Sequence, residues 1–93
     1  MTNQRKYEDI PEWARLDVAI EIISELLSEK RRIVAESKEK GESKDILESH
    51  QKELDMLIEE REKMYFGDKD VLKKIIDEYG PEVRKFFSGD SKI

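Results

Sequence analysis

The chain reads as an all-α protein, a long antiparallel helical hairpin with one or two short C-terminal helices packed at its base. Three observations carry that reading. Apolar residues recur every three or four positions through most of the 93 residues, which is the period of a helix with one buried face. Alternation of the strand kind appears only in VAIEI and breaks at the adjacent pairs Ile22, Ile23 and Leu26, Leu27. Glycines at 41 and 67 stand where the periodic segments have to stop.

The first helix is placed from about residue 11 to residue 40. Asp9, Pro11 and Glu12 suit a capping arrangement in which the Asp9 carboxylate accepts free amides, Glu12 reaches back, and proline occupies the first turn. Trp13, Leu16, Ile20, Ile23, Leu27 and Val34 share one stripe, with Asp17, Glu21, Ser24, Glu25 and Ser28 opposite. A helix of about 30 residues is roughly 45 Å long, so it needs a neighbour of similar length.

Ser43 caps that neighbour, with Asp45 in its first turn. Leu47, His50, Leu54, Leu57, Arg61 and Met64 follow at alternating spacings of three and four. The short turn at 41–43 forces the two helices antiparallel, with facing residues whose numbers sum to about 84. Beyond Gly67, Asp68 or Asp70 caps a short helix carrying Val71, Leu72, Ile75, Ile76 and Tyr79. Gly80 closes it and Pro81 opens a last turn with Val83, Phe86 and Phe87. Trp13, Tyr65, Phe66, Tyr79, Phe86 and Phe87 are then expected to share an aromatic core at the base. Residues 1–93 form one domain in this reading, frayed at 1–8 and 88–93.

Composition narrows function more than any motif does. Charged residues make up 44% of the chain, but both signs are interleaved with regular apolar positions, which favours charged helices over disorder. A net charge of −5 argues against general nucleic-acid binding, which requires surplus cations to displace counterions. Cysteine is absent, the amino terminus MTNQRKYEDI lacks a signal-like apolar run, and no segment approaches a membrane span. The expectation is a cytoplasmic protein without membrane contact.

No arrangement of residues supports catalysis, a metal or a cofactor. His50 is the single histidine, and its Glu53 neighbour reverses the Glu-x-x-His order of helical di-metal sites. Among the carboxylates Glu21, Glu25, Glu59, Glu60, Glu62, Asp77 and Glu78, only Glu59 and Glu62 stand three apart. Glu59, Glu60, Glu62, Asp77 and Glu78 have cations within a turn, as solvated helix faces do. There is no nucleophile elbow and no phosphate loop.

Two features remain. Lys30, Arg31 and Arg32 could touch phosphate, although cations near a helix C-terminus are also favoured by the helix dipole. Ala19, Ile22, Leu26 and Ile33 form a second apolar ridge beside the seam, and a third helix of about 11 residues, roughly 16 Å, is too short to reach Ile33. That surplus leads to the expectation of a homodimer joined along the ridge. The function expected is a non-enzymatic protein–protein interaction module, an adaptor or small inhibitor of the antitoxin-like or phage-encoded kind. The alternative is a nucleic-acid-associated regulator, or an acidic DNA mimic that blocks a nucleic-acid enzyme.

Overall fold

The computed structural model describes residues 6–91, and side chains for residues 6–85. A 3-10 turn, Tyr7–Asp9, leads into α1 (Glu12–Glu39), and α2 (Lys44–Tyr65) returns beside it. From there α3 (Lys69–Lys74) runs through a π-helical turn, Ile75–Tyr79, into α4 (Gly80–Ser91). There is no strand among the described residues. The whole measures 45 × 36 × 15 Å, a slab two helix layers thick.

Both hairpin turns use one device. Gly41 and Gly67 take positive φ, 69° and 92°, a conformation that costs any other residue a Cβ clash. After each, a backbone N–H reaches back over the helix end: Glu42 to the Ser37 carbonyl at 3.1 Å, and Asp68 to the Lys63 carbonyl at 3.0 Å. Ser43 Oγ then accepts the Ile46 amide at 3.3 Å, and Asp68 accepts the Val71 amide at 3.1 Å, opening α2 and α3 as expected. The register also holds, because Lys30 Nζ meets Glu53 Oε1 at 2.6 Å, a pair whose numbers add to 83.

The start of α1 differs from expectation. Pro11 is the cap residue, and no side chain bonds the free amides there. Asp9 is held instead in the 3-10 turn, its own amide donating to the Lys6 carbonyl at 2.8 Å. The segment expected to fray is docked from Tyr7 onward: Ile10 is buried, and the Arg15 guanidinium lies 4.0 Å over the Tyr7 ring. Arg15 Nε also donates to the Ile10 carbonyl at 2.8 Å.

Gly80 is a second departure. With φ −53° it is right-handed and lets the helix continue. A π turn before it, closed by the Gly80 amide on the Ile75 carbonyl, widens the backbone ahead of Pro81, whose ring would otherwise crowd the carbonyl four residues back. The missing side chain allows close packing as well, since a Cβ at Gly80 would lie 3.4 Å from Ile22 Cδ1.

The base core is aliphatic. Ile10, Ile23, Met64, Ile75, Ile76 and Val83 are buried there, while Leu27, Val34, Leu54 and Leu57 continue the seam toward the tip. The expected aromatic core does not form. Trp13, Tyr65 and Phe66 are 83%, 58% and 90% exposed, Tyr79 is half-buried, and the side chains of Phe86 and Phe87 lie outside the described residues. Helix length explains this. With facing numbers summing to about 84, α2 ends opposite residue 19, so the first two turns of α1 overhang it.

Leu16 and Leu27 share a stripe but not an environment, at 42% and 1% exposure. Leu27→Ala is expected to lose ~2 to 5 kcal/mol through lost burial and a cavity, against about 1 kcal/mol or less for Leu16→Ala. Urea unfolding of both variants measures the contrast; equal losses would show that a partner covers the overhang.

Candidate interaction surface

One side of the hairpin is closed by the run from α3 to α4, and one is not. The closed side is marked by Ile22, against Gly80, and by Glu60 of α2. Glu60 was read as one of several solvated carboxylates; it is buried, accepting Lys74 Nζ at 2.6 Å and the Tyr79 hydroxyl at 2.5 Å. A buried carboxylate is tolerated because both oxygens are satisfied and a cation faces it. Burial and the bond to Glu60 together push the Tyr79 hydroxyl up to about 12, and the bond to Glu60 raises Lys74.

Asp77, two residues before Tyr79, points almost the opposite way. It accepts the Tyr7 amide at 2.8 Å and Lys73 Nζ at 2.7 Å. Its burial opposes ionisation, but Lys73 and the Tyr7 amide outweigh that and hold its carboxyl below the usual range. The π turn therefore bridges α2 on one flank and the amino-terminal segment on the other, with Ile75 and Ile76 buried between.

This arrangement absorbs much of the ridge assigned to a second subunit. Ala19 and Leu26 are buried within the single chain, Ile22 packs on Gly80, and Ile33 is half-buried. Ala19 and Leu26 are thus not surface available to a dimer, because the C-terminal run crosses the ridge at the base. Of the three candidate phosphate contacts, Lys30 is paired with Glu53, and Arg32 with Glu29 and with Glu36 at 2.7 Å. Arg31 alone of the three forms no ion pair among the described residues. His50 sits half-buried on the seam, its Nδ1 without a hydrogen-bond partner.

The open side is different in kind. At about 100° per residue, Trp13, Leu16 and Ile20 turn away from the Ile22 flank of α1. Ile58 and Tyr65 turn away from the Glu60 flank of α2. They form one surface at the base, opposite the layer that covers the closed side, with Ile20 and Ile58 half-buried and both aromatics mostly in water. Sequence reasoning placed Trp13 and Tyr65 in the core. The signal that could have moved them out was the difference in helix length, which leaves α1 overhanging. Among the described residues no helix is long and apolar enough to cross a membrane.

Comparison with protein-family models, with curated proteins and with solved structures gives no match.

The two polar ties respond to opposite ends of the pH scale. Tyr79 has a raised folded value, so its contribution is complete below its ordinary value of 10.0 and is lost as pH rises toward about 12. Tyr79→Phe is expected to flatten that alkaline loss and to cost about 1 to 2 kcal/mol at neutral pH by leaving Glu60 one donor short. Chemical denaturation across the alkaline range checks it, and an unchanged slope refutes it.

Asp77 has a lowered folded value, so its contribution is present above the ordinary 3.8 and disappears as pH falls through the folded value. Protection of the Tyr7 amide, its exchange rate measured against the intrinsic rate at each pH, should fall over that acid range before protection at Leu27 does. Simultaneous loss of both would show that Asp77 does not hold the amino-terminal segment independently.

Proposed function

We propose that this chain is a non-enzymatic protein-binding module, an adaptor or small inhibitor, that acts by laying the open side of its hairpin against another protein. The observation that carries the reading is the placement of Trp13 and Tyr65. Two large aromatics stand exposed beside Leu16, Ile20 and Ile58 on a rigid pair of helices. Aromatic side chains bury 150 to 250 Å² each and dominate interface energetics. Contiguous exposed apolar surface on a small folded domain marks a site of interaction more often than it serves the fold.

The chemistry of the rest of the molecule favours binding over turnover. Glu60 and Asp77, the carboxylates packed at the base, are engaged in ties that hold elements together, Glu60 to Lys74 and Tyr79, Asp77 to Tyr7 and Lys73. The depression beside the overhang, lined by Asp17, Val18, Ile20 and Glu21, is wide open and shallow, unlike the enclosed pockets in which reactions are run.

Met56 supplies an internal control, since it is 49% exposed on the opposite flank of α2. Affinity capture from the native host with wild type, Trp13→Ala/Tyr65→Ala and Met56→Ala tests the proposal. A protein retained by wild type and Met56→Ala and lost from the double variant, with circular dichroism unchanged, is the expected result. Retention by the double variant rejects this surface as the binding site.

A further inference from the structure

The open side has a charge pattern as well as an apolar one, and together they describe its occupant. The middle of that side is the groove between α1 and α2. Facing it on α1 are Trp13, Ile20, Ser24, Leu27, Arg31 and Lys38; facing it on α2 are Leu47, Leu54, Ile58, Arg61 and Tyr65. The chain has 23 carboxylates against 18 lysines and arginines, yet none of the residues facing the groove is acidic. Arg31, Lys38 and Arg61 face it, and none of the three forms an ion pair with a described residue, whereas Lys30, Arg32, Lys63, Lys73 and Lys74 do. Carboxylates return only at the rim, as Asp17, Asp55 and Glu62. Apart from Arg61, which sits between Ile58 and Tyr65, the groove is thus apolar toward the base, and it is cationic toward the tip, at Arg31 and Lys38.

We infer that the groove accepts an acidic amphipathic helix from a partner protein, its apolar residues on Trp13, Ile20, Ile58 and Tyr65 and its carboxylates toward Arg31 and Lys38. This rests on the binding reading above and adds the partner's chemistry. A helix of about 25 residues, roughly 38 Å, spans the groove from Trp13 to Lys38. The closed side offers a precedent, because there too a helical run covers the hairpin with isoleucines in the centre and a charged tie, Lys74 to Glu60, at the edge. A second copy of this chain fits less well, since it would bring its own cationic groove against this one. Nucleic acid fits less well again, since the apolar base half of the groove offers phosphate no cation except Arg61, whereas an amphipathic helix brings apolar side chains to it.

The probe is a fluorescent peptide of four heptads, leucine at the a and d positions, with glutamate at the remaining positions of the last two heptads and alanine or glutamine elsewhere. A control replaces each glutamate with lysine. Fluorescence anisotropy is expected to show the acidic peptide bound about tenfold or more tightly over the basic one, with affinity falling as salt rises. Arg31→Glu/Lys38→Glu should invert that preference, and Trp13→Ala should weaken both peptides alike. Equal affinity for the two peptides overturns the inference. So does a doubled mass of the free protein by light scattering with the Trp13 indole shielded from quencher, which would make a second copy the occupant. Displacement of the acidic peptide by duplex oligonucleotide overturns it in favour of nucleic acid. If Trp13→Ala leaves peptide binding unchanged, the docking surface itself is rejected; if Trp13→Ala weakens binding and charge reversal does nothing, the surface stands and only the acidic partner falls.

Discussion

Everything in this molecule depends on the register of two helices of unequal length. α1 has 28 residues and α2 has 22, and the left-handed glycine at 41 fixes where they meet. From that point the pairing of Val34, Leu27 and Ile23 with residues of α2 follows by helical geometry alone. So does its end: α2 finishes with two turns of α1 still unmatched. Those turns have to be covered by something else, left in water, or shared with another molecule. The structure does the first two, packing Ala14 and Val18 against the core and leaving Trp13 and Leu16 outside.

How the C-terminal run reaches the overhang is a matter of backbone register. A regular α-helix from residue 69 through Pro81 would leave the carbonyl four residues before the proline both without its hydrogen bond and crowded by the ring. The π turn absorbs that misfit and aims two polar side chains in nearly opposite directions. Tyr79 goes to Glu60 and Asp77 to the Tyr7 amide, so that one short segment fastens the second helix and the amino terminus at once. Buried polar ties of this kind add little net stability compared with apolar replacements, but they penalise alternative seatings in which a carboxylate would lose its partners. The aliphatic side chains supply the attraction; Glu60 and Asp77 select the register in which the run sits.

The hairpin was legible in the sequence because its signals are local and repeated. Period, glycine stops and the Ser43 cap each point to the same helices, and the short turn leaves only one way to pair them. What was not legible required knowing which side a third element would cover. Ala19 and Leu26 were placed on a surplus ridge because a short third helix was thought to end early, yet the π turn carries the helix past Gly80 and over that ridge. Glu60 looked like any other carboxylate on a charged helix, since its partners Lys74 and Tyr79 are 14 and 19 residues away and no periodicity announces such a contact. The aromatics failed for a different reason. The hairpin topology brings Trp13, Tyr65 and Phe66 to the base, but being at the base is not being inside it, and aliphatic residues fill that core.

That exchange of roles bears on where function resides. A core assembled from isoleucine, leucine, valine and methionine packs well and leaves no polar atom to satisfy, so it has no use for an indole N–H or a phenol. The aromatics are then free to stand where the fold does not need them. They do so at the base end of the hairpin, Trp13 on the longer helix and Tyr65 on the shorter, on the side the covering layer does not reach. Leaving Trp13 in water forgoes roughly 2 kcal/mol or more of burial that a shorter first helix would not have offered. The same seven overhanging residues, 12–18, that make the hairpin lopsided thus carry Trp13 and Leu16 and help give it a surface distinct from the rest of an otherwise evenly charged exterior.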